Sequence, residues 1–399
     1  MNSVRMMLLM IRTPRLTVKA SSKAATTQNE EVISSEFLRK RLEVVGDAFL
    51  NYKVQRHIME TITSSQLEDA SELQSLTSNE VIAKRAEQNG LIGLVHSITS
   101  SNYSLKNLPL LLDLSLTEFV KCKCPITSLD SWHYKKKFAN VFEILVGLLI
   151  VQHQHEKRAS TFVETYLDIP KKKIKRSRKF NPYRTCYSII SENQETSIGS
   201  DLTLNLKHRF KRQAFLTAAL NKKNPTEEFS FLKYSGNAAN FSLTLKLLGG
   251  HALRYVVTRH LLSFEFLSAH AVDELRRNVL SHAAKSRAAV SLNLHVYAKN
   301  NLHLDFIAPE APTQNFQLGA AVHTEETIEP KNRSLSSLFD AVAGAVLLDI
   351  KYDLQKFRSI YLDLFQHELT HSMRPFQESG KKRFPRLNSN SAKKTKTLN

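Results

Sequence analysis

The chain has 399 residues, with 56 Lys and Arg against 37 Asp and Glu for a formal net charge of +19, and 42% of its residues are apolar. Its length allows roughly two to three domains with a real hydrophobic core. With only 11 Gly and 11 Pro, a turn-rich β fold is disfavoured and a mostly helical one expected. The longest apolar runs, such as Ile144 to Val151, fall well short of the ~20 residues of a membrane-spanning helix. Three cysteines exclude a disulfide framework. The basic excess points to a polyanionic partner, with nucleic acid first among the choices because cationic side chains release its condensed counterions.

In chain order, residues 1–33 form a basic N-terminal segment. Its first 29 residues hold no acid and carry Arg5, Arg12, Arg15, Lys19 and Lys23 around the apolar Met6–Ile11. This pattern is that of a mitochondrial transit peptide, with a plain basic arm as the alternative. Residues 34–170 read as a first helical domain. Phe37, Leu42, Val45, Ala48, Phe49 and Tyr52 give an apolar stripe at spacings of three to five. Further helices are predicted over 78–97, around a buried stretch 110–120, and over 138–154, the last apolar nearly all round and therefore central. Cys122-x-Cys124 and His153-x-His155 could hold zinc, but neither spacing is that of a standard finger, and ordinary cysteines and surface histidines are the preferred reading. Residues 171–207 open with the basic block Lys171–Lys179 and read as a solvated linker, with phosphate contact or a nuclear address as alternatives. Residues 208–368 read as a second helical domain, and 369–399 as a disordered basic tail.

The two helical domains share a frame. Leu42-Glu43-Val44-Val45-Gly46-Asp47-Ala48-Phe49-Leu50-Asn51-Tyr52 recurs as Leu245-Lys246-Leu247-Leu248-Gly249-Gly250-His251-Ala252-Leu253-Arg254-Tyr255. Val141-Phe142-Glu143-Ile144-Leu145-Val146-Gly147 recurs as Leu338-Phe339-Asp340-Ala341-Val342-Ala343-Gly344. The two pieces lie 100 residues apart in the first copy (43 to 143) and 94 in the second (246 to 340). One fold is used twice, and its carboxylates are kept in only one copy.

Those carboxylates carry the chemistry. Glu43 and Asp47 stand at i and i+4, side by side one helical turn apart. Like charges at that spacing destabilise an isolated helix slightly, and a bound cation would offset the repulsion. Asn140 and Glu143 form a second short-spaced oxygen pair at i and i+3. If the two helices pack together, four hard oxygen ligands converge in a set suited to magnesium, with manganese as an alternative. Gly46, between the two acids, would allow the close approach this requires.

The Leu42–Leu50 segment resembles the ribonuclease III signature, in which Leu-Glu, Gly-Asp and an apolar run share one helix. Gln74–Asn79 with Asn89-Gly90-Leu91 resembles the next segment of that fold, and Lys136–Glu143 resembles its second metal-binding motif. The second half follows the same course more faintly, through 210–221, Leu245–Tyr255 and Ser337–Asp349. The resemblance covers roughly residues 34–366. It implies an all-α chain of two tandem ribonuclease III-like domains, Dicer-like in arrangement, forming an intramolecular pseudo-dimer. It also implies a magnesium-dependent endoribonuclease for double-stranded or structured RNA.

Carried onto this sequence, Glu43, Asp47 and Glu143 match three metal positions. Asn140 stands where the family has aspartate, and Lys136 matches a lysine facing phosphate. In the second half Lys246, Gly250 and Ser337 replace ligands and Asp340 shortens the last, so that half is expected to be a pseudo-nuclease. The alternative is a non-catalytic RNA-binding scaffold of degenerate ribonuclease III fold, such as a mitochondrial large-subunit ribosomal protein. A homodimer, or a ribosomal or other ribonucleoprotein partner, stays open on this reading. The address is expected to be the mitochondrion, with the nucleus as alternative.

Overall fold

The computed structural model describes residues 27–62, 75–91, 132–153, 156–167, 169, 205–220, 238–296 and 325–383. The expectations placed on 1–26, 110–120, Cys122 and Cys124, His155, the basic block 171–179 and the chain beyond 383 lie outside these residues. Every described element is helical, with no strand among the described residues, as the low glycine and proline content and the 3.6-residue periodicity predicted. In the first half run α1 (Thr27–Ile62), α2 (Asn79–Gln88), α3 (Trp132–His153) and α4 (Glu156–Tyr166). In the second run α5 (Gln213–Leu220), α6 (Ala238–Leu261), α7 (Ala269–Val279), α8 (His282–Ser291), α9 (Glu325–Asp349), α10 (Leu354–Leu364) and α11 (Gln366–Arg383).

Each half is built on one tight crossing of two long helices, α1 with α3 and α6 with α9. The crossings are set by glycine. A Cβ added to Gly46 would fall far inside contact distance of the Glu143 carbonyl oxygen, and one on Gly147 would collide with that of Leu42. In the second half the same collisions recur, Gly249 with Asp340 and Gly344 with Leu245. Backbone therefore meets backbone at all four points, an approach only a residue without a side chain permits. Around the crossings lie Val45, Phe49, Phe142 and Leu145 in one half and Leu248, Phe339, Val342 and Val346 in the other, all buried. Removing such side chains from water supplies the main drive for collapse.

Through the first part of each half the repetition extends beyond Gly46 and Gly249 at an offset of 203 residues (42 to 245, 52 to 255). Ser78 caps α2 by accepting from Val81 N–H, and Ser281 caps α8 by accepting from Ala284 N–H. Gly90 and Asn293, at matching places after these helices, both take positive φ, 81° and 58°. The buried Leu91 and Leu294 follow.

Three local expectations are corrected. The helix predicted over 78–97 ends at Gln88, because the chain turns at Asn89 and at the left-handed Gly90. Phe37, assigned to the apolar stripe, is 37% exposed and lies under the Arg41 guanidinium, 5.3 Å from its ring centre. The tail assigned from 369 instead begins as helix: α11 runs to Arg383, and Leu369 and Met373 are buried against the core.

The halves meet along α1 and α6. Tyr52 and Tyr255, which occupy the same repeat position, stack with ring centres 5.9 Å apart and planes 6° from parallel. Phe49 meets Tyr255 edge-on at 5.2 Å. Arg56 lies over the Tyr352 ring at 4.3 Å, and its counterpart Arg259 pairs with Glu156 in the opposite direction. Residues at equivalent positions thus reach across in both directions, the pattern of a self-complementary contact. Arg41 fastens the joint further. Its guanidinium donates to the carbonyls of Leu262 (2.6 Å), Phe264 (3.2 Å), Glu265 (3.0 Å) and Leu267, which line the turn leaving α6.

Candidate functional site

The Gly46–Glu143 contact fixes where the acids of the first half lie. Glu43 and Asp47 flank Gly46 on α1, and Glu143 is the α3 residue whose backbone Gly46 touches. Asn140 sits one turn earlier on α3, partly buried, and Lys136 one turn before that, exposed. The five residues singled out in the sequence are therefore gathered on two crossing helices.

Their charges act on one another. Glu143 is 7% exposed, and burial pushes its carboxyl pKa up to about 9. The negative fields of Asp47 and Glu43 add to this, while Arg254 and Lys136 oppose it. Burial also raises the Glu43 carboxyl, against the fields of Arg39 and Lys136 and with that of Asp47. Asp47 has both oxygens engaged. Oδ1 accepts from Asn51 Nδ2 at 2.7 Å, and Oδ2 from Arg254 Nη2 at 2.6 Å.

This donor set suits a hard divalent cation in type: three carboxyl groups and an amide carbonyl, one of the carboxyls held protonated near neutral pH by its burial. The set is not drawn tight, however. No three His, Cys, Asp or Glu side chains among the described residues lie close enough together to share one ion. Arg254, from the other half, holds Asp47 instead.

At the equivalent place in the second half the charge is reversed. Lys246 replaces Glu43, and Gly250 replaces Asp47, where an added Cβ would make ordinary contact with the Asp340 carboxylate at 3.7 Å. Ser337 stands for Asn140 and Asp340 for Glu143. Asp340 is buried and its pKa raised by that burial, but Lys285 Nζ pairs with it at 2.8 Å and Lys246 adds its field. Lys285 occupies the α8 position that the buried Ile82 holds in α2, so a core aliphatic has been exchanged for a counter-ion. His251 lies nearby, its pKa lowered to about 4 by burial and then by Arg254. One carboxylate among cations is no ligand set for magnesium.

That region of the chain carries a recognisable family frame. Residues 243–351 match the Ribonuclease III domain model. The ribonuclease III match runs from within α6 through α9 and so covers the second half's crossing. It falls on the half whose likeness by sequence was the fainter, one that keeps Gly249, Gly344 and the apolar positions around them. Ribonuclease III domains are double-stranded-RNA endoribonuclease modules and generally use magnesium. No curated protein matches the chain. No helix among the described residues is long and apolar enough to cross a membrane.

Two residues at this site were not legible in the sequence, Asn51 and Arg254. Both stand in the repeated frame at the same position, and that equivalence was the available signal. What was missing was the packing of α1 on α6, which brings both side chains to one carboxylate.

Proposed function

We propose that the protein is a magnesium-dependent endoribonuclease of ribonuclease III type acting on double-stranded or structured RNA. Its one candidate active site lies in domain 34–170, and domain 208–368 acts as a pseudo-nuclease. The two domains pair within the chain through α1 and α6, in a tandem arrangement like that of Dicer-type enzymes. The observation that carries this reading is the gathering of Glu43, Asp47 and Glu143 around the Gly46 crossing, with Glu143 buried.

Glu43, Asp47 and Glu143 would hold the metal, with the Asn140 carbonyl beside them. When bound, it supplies an activated water and positive charge at the scissile phosphate. Asn140 in place of a carboxylate removes one negative charge and weakens the site. Lys136, exposed at the start of α3, is placed to hold an adjacent phosphate of the backbone. The basic segments 171–207 and 369–399 add sequence-independent attraction for RNA. The basic 1–33 segment, without an acid through residue 29, directs the protein to the mitochondrion, with the nucleus as the alternative address.

A second reading has its own observation. Arg254 on Asp47, and the absence of a closed three-donor cluster among the described residues, favour a non-catalytic RNA-binding scaffold, such as a ribosomal protein of degenerate ribonuclease III fold. One experiment separates the two. Purified full-length protein is incubated with labelled duplex RNA in magnesium or in EDTA, beside Glu143→Gln. Magnesium-dependent cleavage lost in the variant supports the enzyme. Tight binding without cleavage by the unmodified protein leaves the scaffold.

A further inference from the structure

The second half lost acids at its crossing and gained bases there. Asp340 is the acid that remains, and its Oδ2 takes the Lys285 ammonium at 2.8 Å, with both side chains largely buried. That pair is complete in charge, one carboxylate to one ammonium. Lys246 is therefore surplus to it. The fields that reach Asp340 come, largest first, from Lys285, Lys246 and His282, so all three bases lie about this crossing. Lys246 does not bond the carboxylate, because Asp340 Oδ1 is buried with no hydrogen-bond partner. A lysine placed only to neutralise Asp340 would meet that open oxygen. Lys246 is instead partly buried and makes no ion pair among the described residues.

The other neighbours leave this surplus standing. Gly250, in the place of Asp47, adds no second acid. His251 has its pKa lowered to about 4 by burial and is uncharged near neutral pH. Arg254 is held by Asp47 of the first half at 2.6 Å. Tyr361, which the Asp340 field reaches, is buried and its phenol neutral. His282 is exposed at the start of α8 and meets Ser336 Oγ through Nδ1 at 3.0 Å. Its Nε2 has no partner among the described residues. The start of α8, fixed by the Ser281 cap, adds the positive end of a helix dipole. Two lysines against one carboxylate, a ring nitrogen and a helix start suit an anion.

We propose that the second half's crossing binds a phosphodiester of the RNA backbone through Lys246 and His282, and does so without a metal ion. Lys285 cancels the charge of Asp340, which would otherwise repel the phosphate. Lys246 supplies the attracting charge and His282 a hydrogen bond, and neither reads a base. The proposal rests on the RNA-partner reading above and gives the pseudo-nuclease half a grip of its own.

The test follows binding of labelled duplex RNA to the full-length protein by fluorescence anisotropy across salt concentrations, in EDTA and in magnesium. Lys246→Gln should weaken binding roughly three- to tenfold and lower the salt slope by about one, equally in both media. Lys246→Arg should stay near the unmodified protein, and Lys246→Glu should weaken binding further than Lys246→Gln. A Lys246→Gln titration superimposable on the unmodified one would overturn the proposal, as would a loss confined to magnesium. Calorimetry with inorganic phosphate separates the sources: a variant that loses free phosphate but binds duplex normally refutes the RNA backbone as ligand. If the unmodified protein binds no duplex, the RNA reading falls by itself. Tungstate, a phosphate analogue, then decides the site separately and without a variant that must fold. Anomalous scattering from tungstate-soaked crystals of the unmodified protein should show the ion against Lys246 and His282. A crossing left empty refutes the site.

Discussion

In the first half Glu43, Asp47 and Glu143 crowd one helix crossing. In the second, the same positions hold Lys246, Gly250 and Asp340, and a lysine exchanged for a core isoleucine neutralises the one acid that is left. Yet the two crossings have the same backbone geometry, down to which carbonyl oxygen each glycine meets. The fold therefore depends on the glycines and the apolar frame, and not on the acids. The second half keeps this shape without those acids, and the Ribonuclease III domain model matches there.

The comparison can be broken first at the glycines. Gly46→Ala and Gly249→Ala should each destabilise the protein severely, by roughly 3–5 kcal/mol, since backbone rather than a flexible side chain must yield. Thermal or denaturant unfolding measures this, and a large loss at one position with tolerance at the other would show that the crossings are not equivalent. The next contrast is chemical. Glu143→Gln should lower magnesium-dependent cleavage of duplex RNA by about a hundredfold or more, while Asp340→Asn leaves the rate per folded molecule unchanged. Equal losses in a cleavage gel would mean that both halves catalyse.

A pH contrast follows. The folded Glu143 carboxyl, pushed up to about 9, lies above its ordinary value of 4.5. In EDTA, stability should be greatest below that ordinary value and fall as pH rises from there through about 9, because the unfolded chain ionises first. Glu143→Gln should remove this decline and gain about 2–3 kcal/mol over the unmodified protein at pH 8, read from denaturant midpoints. A decline unchanged in the variant would place its origin elsewhere. The smallest effect concerns Lys136. Lys136→Ala should weaken duplex binding a few-fold and lessen the salt slope by about one, in a fluorescence titration across salt concentrations.

Much of this was legible in the chain. The helical class, the signature helix, the closing helix and the twofold use of one frame follow from apolar periodicity, scarce glycine and the spacing of Gly46 and Gly147 against Gly249 and Gly344. Glu43 could be paired with Asp47, and Asn140 with Glu143, because i+4 and i+3 spacings determine which side chains share a helix face; the family resemblance, not spacing, put the two pairs together. Three things could not be read. The end of α2 turns on the backbone angle of Gly90, which a helical pattern running past it conceals. The order of α11 depends on burial of Leu369 and Met373 by distant helices. Arg254 reaches a carboxylate 207 residues earlier in the chain, and only the mutual packing of the halves creates that neighbourhood.

Arg41 offers a last consequence. Its partners in the second half are main-chain carbonyls of residues 262–267, not side chains. The four bonds therefore depend on the path of the receiving turn, whereas the donating position admits only a group with several fixed N–H donors. That path is held by packing, since Leu267 is buried in the core and Leu262 and Phe264 pack against it. Replacing the one arginine should loosen the joint, and so should any change that moves the turn's carbonyls.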